Sequence, residues 1–192
     1  MPRVKAFDKE EVLDKAMKLF WSKGYNATSY CDLVEHLGIN RQSIYDTFGD
    51  KQQLYQLALD RFRVQSIAKV KAALHGLPTA RETIEHFLKM AVVESLDPTP
   101  KGCFIVNSTI EMASIEPEVA KTSCENMNEI CSWLTEVIAK GQKEGSIGSR
   151  HSPEQLALFI FTLLNGLKVY SKMELPSTTY DRILQVAWDV LD

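Results

Sequence analysis

The sequence predicts an all-α protein with a three-helix N-terminal head and a larger C-terminal helical body. Three observations carry this. Apolar residues recur at three- and four-residue spacing along nearly the whole chain, the period of an amphipathic helix. No segment alternates apolar and polar residues as a half-buried strand would. Glycines, prolines and capping residues fall at helix-length intervals.

The elements follow in order. Leu13, Ala16, Met17 and Phe20 form one face of a first helix. Asp8 stands at its N-cap, with Glu11 three residues later as a capping-box partner, and Gly24 ends it. A second helix starts at Thr28 or Ser29 and stops at Gly38. A third starts at Asn40, a favoured N-cap residue. Gly49-Asp50 breaks the chain, and Asp50 caps a long fourth helix that runs to about His75 and closes at Gly76 and Pro78. Further helices are expected over 79–96, ending before Asp97-Pro98-Thr99-Pro100, and over 102–114. The last three are expected from Pro117 to about Lys143, over 153–173 with Pro153 in the first turn, and over 177–191. The domain division expected is a head at 1–50 and a body at 51–192, with helix 51–75 connecting them.

Composition bounds the function. The chain has 192 residues, 45% hydrophobic and 24% charged, an ordinary globular balance. No apolar run approaches the roughly 20 residues of a membrane helix, and the N-terminus has no apolar signal core. The expectation is a cytoplasmic protein with no membrane partner. Cys31, Cys103, Cys124 and Cys131 make no CxxC pair, and His36, His75, His86 and His151 make no HExxH motif. Thiols without disulfides, no metal and no cofactor are therefore expected. The net charge is −3, but it is unevenly spread: residues 1–63 hold 10 Lys/Arg against 9 Asp/Glu, and the rest hold 12 against 16. A local basic surface matters more for phosphate contact than the total.

The chemistry concentrates in residues 28–48, TSYCDLVEHLGINRQSIYDTF. Two short helices meet at a tight turn, Leu37-Gly38-Ile39, which is the layout of a helix-turn-helix. Leu33, Val34, Leu37, Ile39 and Ile44 face inward. Asn40, Arg41, Gln42, Ser43 and Tyr45 open the third helix, where polar residues reach base edges. Arg41 is suited to guanine O6/N7 and Gln42 to adenine N6/N7. Ser43, Tyr45, Thr28, Ser29 and Lys51 are candidate phosphate contacts, the last through its charge and a helix N-terminus. Ile44 and Phe48 are read as packing residues.

The segments AMKLFWSKGYNATS, LVEHLGINRQSIYDTFGDK and LYQLAL, in that order and spacing, resemble the TetR family of bacterial repressors. The resemblance is close over residues 8–60. It departs at Gln42, where many members carry glycine or another small residue, so the operator is expected to differ. It implies a homodimer built on the last two long helices and a ligand pocket in each body. LALFIFTLLNGLKVY, residues 156–170, fits, being apolar nearly all round. Gly166 would admit a close partner helix, and Val186, Trp188, Val190 and Leu191 would complete a four-helix interface.

Cys103, Asn107 and Glu111 fall at i, i+4 and i+8, a polar stripe that reads either as a solvated face or as orienting groups in a cavity. Phe62, Phe87, Met90, Met127, Cys131 and Phe159 are candidate apolar walls of an effector site, or ordinary core. Cys103 follows Gly102 at a helix start, where the dipole favours the thiolate, and GCFIVN is similar to a segment of family members that respond to electrophiles or oxidants. The function expected is a transcriptional repressor, released from a palindromic operator on double-stranded DNA by a small-molecule or thiol-reactive effector. A helical protein-binding adaptor and an enzyme without a recognisable motif remain the alternatives. No catalytic residue is expected.

Overall fold

The computed structural model describes residues 7–95, 102–173 and 175–192. Within them the chain forms α1 (Lys9–Lys23), α2 (Tyr30–Leu37), α3 (Arg41–Phe48), α4 (Lys51–Leu74), α5 (Ala80–Ser95), α6 (Phe104–Met112), α7 (Pro117–Glu144), α8 (Pro153–Tyr170) and α9 (Ser177–Leu191). No strand occurs among the described residues. The expected stop at 97–100 lies outside them.

The caps explain most boundaries. Asp8 accepts from the N–H groups of Glu10 and Glu11, while the Glu11 carboxylate turns away to pair with Lys15 at 2.7 Å. The reciprocal half of the expected capping box is therefore absent. Reciprocal boxes do form at Ser29 with Asp32, Asp50 with Gln53 and Ser152 with Gln155. Gly38 adopts φ 69°, ψ 21° at the end of α2, the left-handed conformation that sets the turn into α3. Two expected boundaries move. Gly102 sits at φ 66° and Cys103 is extended, so α6 starts at Phe104 rather than at 102. Residues 171–173 form a turn beyond α8.

Two cores result, and they do not divide at residue 50. The first joins α1, α2, α3 and the start of α4 to α6: Phe20, Leu33, Ile44, Leu54 and Tyr55 pack in one cluster with Phe104, Ile105 and Met112. An aromatic chain runs through it, with ring centroids at 5.0 Å for Phe20–Tyr55, 5.5 Å for Tyr55–Phe104, 5.7 Å for Phe104–Phe62 and 4.9 Å for Phe62–Trp21. Edge-to-face pairs contribute about 0.5–1.5 kcal/mol each beyond area burial. The second core packs α5, α7, α8 and α9 around Ile84, Leu88, Leu134, Ile138, Ile160 and Tyr180. Helix α4 spans both, burying Leu54 and Leu59 in the first and Leu74 in the second.

Candidate nucleic-acid interface

The outer surface of the head is built by α3. Ile44 and Phe48 point inward, at 0% and 4% exposure, as their spacing predicts. Asn40 caps the helix by accepting from the Ser43 N–H at 2.8 Å. Arg41, Gln42 and Tyr45 are exposed and Ser43 half-buried, so the outward surface of α3 is polar.

These side chains are ordered by one another. The Arg41 guanidinium lies over the Tyr30 ring, 4.3 Å from its centroid, and its Nη2 donates to Tyr45 Oη at 3.2 Å. The Tyr30 and Tyr45 rings stack at 5.4 Å. Hydrogen bonds from Tyr30 and then Arg41 pull the Tyr45 phenol below its ordinary pKa, whereas burial, first, and Tyr45, second, raise that of Tyr30. The Gln42 amide donates to Asp46 Oδ1 at 2.8 Å. Tyr30 and Asp46 were not singled out from sequence, although the i+4 spacing of Gln42 and Asp46 was a usable signal.

The candidate phosphate contacts fare unequally. Thr28 is buried to 1% and its hydroxyl donates to the Gly24 carbonyl at 2.6 Å. It therefore stands inside the head rather than on the outward face. Ser29 is exposed, but its hydroxyl belongs to the α2 capping box, donating to Asp32 Oδ2 at 2.6 Å. Asp32 also pairs with Lys23 at 2.6 Å, and that pairing leads the causes that hold its carboxyl far below the usual range. Lys51 is drawn inward: its Nζ lies 4.2 Å from the Tyr25 ring centroid, and burial lowers its pKa. Its backbone N–H donates to Tyr30 Oη at 3.0 Å, which occupies one of the N–H groups expected at that helix start.

Behind this polar surface, α6 ties the head to the body. The Glu111 carboxylate accepts from the Tyr25 N–H at 3.1 Å and the Asn26 N–H at 2.8 Å, both in the α1–α2 connection. The Trp21 indole donates to the Gly102 carbonyl at 3.1 Å. Buried between them, Tyr55 Oη and Ser108 Oγ are 2.6 Å apart.

The nine candidate effector residues do not meet in one cavity. Glu111 is engaged with the head, and Met127 and Phe159 are 36% and 38% exposed. Phe62 and Cys103 pack on the head cluster. Asn107 is half-buried on α6, with its amide oxygen close to Gly102. Phe87 and Met90 belong to the body core. Cys131 is half-buried on α7, and burial raises its thiol pKa. A cleft of about 30 Å³ lies between α4, α5 and α7, lined by Ile67, Val70, Phe87, Ile130 and Trp133 with Lys71 and Glu129, which is room for little more than a water. None of the four cysteines forms a disulfide.

On α8, Leu158, Phe159, Val169, Tyr170 and Met173 beyond it are exposed, and nothing lies within 4 Å of a Cβ built on Gly166. Val186 on α9 is 59% exposed. These residues leave α8 and α9 with exposed apolar side chains in the single chain. No helix among the described residues is long and apolar enough to cross a membrane.

Comparison with known proteins agrees with this architecture. Residues 12–58 match the model for bacterial regulatory proteins of the tetR family, and residues 76–187 match the tetracyclin repressor-like C-terminal domain. The HTH-type transcriptional repressor ComR of Escherichia coli (strain K12) is 31% identical over 193 residues, covering 98% of this chain and 90% of its own. The HTH-type regulator YezE of Bacillus subtilis (strain 168) is 38% identical over 122 residues, 63% of each chain. Among solved structures, a cysteine mutant of the TetR family regulator CifR complexed with 26-bp double-strand operator DNA matches at TM-score 0.80 and 30% identity, covering 98% of this chain and 97% of that one. The chain belongs to the TetR family of bacterial DNA-binding regulators.

Proposed function

We propose that the chain is a homodimeric transcriptional repressor of the cytoplasm that reads a palindromic operator through Arg41 and Gln42 of α3 and is released by an effector acting on the body. The observation that carries the reading is the exposed polar surface of α3, set on two buried apolar anchors. An inert helical bundle has no need of that arrangement. A two-fold dimer doubles the readout by placing one α3 in each of two successive major-groove faces, about 34 Å apart. Asn40, Ser43, Tyr45 and Ser29 stand near that surface and supply backbone contacts, and Lys51 joins them by leaving the Tyr25 ring.

Release needs a connection between body and head. The α6 bonds at Gly102, Ser108 and Glu111 supply it. Effector and DNA prefer different settings of this connection, so each weakens the other's binding. Cys103 is the candidate trigger: it caps α6 directly after Gly102, whose carbonyl holds Trp21 of the head. The Lys172 side chain lies beside Gly102. Alkylation of Cys103 would enlarge the side chain beside the Trp21 bond. The test is operator release by a thiol reagent such as N-ethylmaleimide, for wild type and Cys103→Ser. Release lost in Cys103→Ser supports the thiol trigger. Equal release in both proteins removes it and leaves a non-covalent ligand in the body.

A further inference from the structure

The Gln42–Asp46 pair bears on how the recognition helix chooses its bases. A carboxylate at neutral pH accepts hydrogen bonds and cannot donate. The 2.8 Å contact between Gln42 Nε2 and Asp46 Oδ1 therefore sets the orientation of the amide, with its NH2 group toward Asp46. The amide has two N–H groups. Adenine readout uses the N–H on the same side as Oε1 together with that oxygen, matching N7 and N6–H, which leaves the other N–H for Asp46. Both residues are exposed one helical turn apart on α3, so the pair lies along the groove-facing surface rather than behind it. A carboxylate there also repels phosphates, which lowers affinity for every sequence alike.

We infer that Asp46 is a positioning residue for base selection: its carboxylate holds the Gln42 amide in the orientation that reads adenine, while its charge lowers affinity for all sequences equally. The inference rests on α3 being the DNA-reading helix. It adds a residue that need not touch a base itself, and it predicts a signature that a simple surface charge would not give. Losing a prepaid side-chain orientation weakens a contact by roughly threefold to tenfold. Gln42→Ala removes the contact outright, a loss of about tenfold or more at its base pair.

The experiment uses full-length protein and a random-sequence duplex library, with wild type, Gln42→Ala, Asp46→Asn, Asp46→Ala and the Gln42→Ala/Asp46→Ala double variant. Both side chains are exposed, and unchanged thermal midpoints verify that every variant folds. Expected is a base pair in each half-site whose adenine preference disappears in Gln42→Ala and falls roughly threefold to tenfold in both Asp46 variants. In the double variant the preference there is no weaker than in Gln42→Ala alone, and binding to unselected DNA tightens in Asp46→Ala. Three results overturn the inference. A uniform gain in affinity with the preference intact makes Asp46 a repelling charge only. A preference lost at a different base pair means that Asp46 contacts DNA itself. A Gln42→Ala protein with unaltered preferences removes the amide from readout. Absence of any sequence preference in the wild type is a separate failure, that of α3 as the reading helix.

Discussion

Truncating Glu111 should loosen the head from the body by an amount the geometry bounds. Its carboxylate accepts two backbone N–H groups, from Tyr25 at 3.1 Å in a half-buried setting and from Asn26 at 2.8 Å near solvent. A hydrogen bond to a charged group contributes about 1.5–3 kcal/mol, less where water competes. Glu111→Ala is thus expected to cost about 2–3 kcal/mol in all, and a chain of this length loses roughly 2–4 °C of Tm per kcal/mol. The drop should be about 4–12 °C at fixed protomer concentration. Gly24 supplies an internal control. It sits at φ 83°, and a Cβ there would stand 2.9 Å from Glu111 Oε2. Gly24→Ala therefore carries two costs, displacement of Glu111 and positive-φ strain of about 1–3 kcal/mol. In the Glu111→Ala background only the strain remains. Urea denaturation of the four proteins, followed by circular dichroism, measures the cycle. The double variant should be at least about 1 kcal/mol less destabilised than the sum of the singles. Additivity within about 0.5 kcal/mol, or an unmoved Tm in Glu111→Ala, would refute the reasoning.

Further outcomes follow from other parts of the molecule. Gly166→Glu places a charge in the apolar face of α8 and should convert the protein to a 21.7 kDa monomer in size-exclusion light scattering, with loss of tight operator binding; an intact dimer would put the interface elsewhere. Tyr55→Phe leaves the buried Ser108 hydroxyl without its partner, at a cost of about 1–3 kcal/mol that Tyr55→Phe/Ser108→Ala should partly recover in urea melts. The Tyr55 phenol, pushed up to about 12 mainly by burial, should stay protonated in absorbance titrations until the alkaline limit of the fold. The hydrogen bond from Arg61 holds the Asp14 carboxyl below its ordinary pKa. Its stabilisation is therefore present above about pH 4 and lost as pH falls through the lowered folded value. Wild type and Asp14→Asn should differ in Tm near neutrality and converge in acid.

Much of the architecture was legible because it is local. The caps at Asp8, Ser29, Asn40 and Asp50 act on N–H groups two or three residues away, and the apolar period of α1 and α3 names their inner faces. What was not legible depends on distant partners. Glu111 occupies a polar stripe that looks like a cavity lining until its acceptors meet N–H groups 85 and 86 residues earlier. Backbone donors leave no trace in side-chain sequence. Thr28 shares the composition of a phosphate contact, and only the fold turns its hydroxyl onto Gly24. The apolar run from 102 hid the start of α6, because the positive φ of Gly102 is a property of the connection and not of the run. Phe159 on α8 and Met127 on α7 read as core by residue type but remain exposed in the single chain, Phe159 on the same helix as the open space over Gly166.

The most direct test of the account is fluorescence anisotropy on a duplex chosen from random sequence by the wild-type protein, measured at two salt concentrations for wild type, Arg41→Ala and Gln42→Ala. The account predicts an inverted-repeat site, affinity that falls steeply with salt in all three proteins, and discrimination between base pairs reduced by about tenfold in each variant at its own position in the half-site. Salt-sensitive binding with no sequence preference, or variants that choose the same sequences as the wild type with equal discrimination, would contradict it.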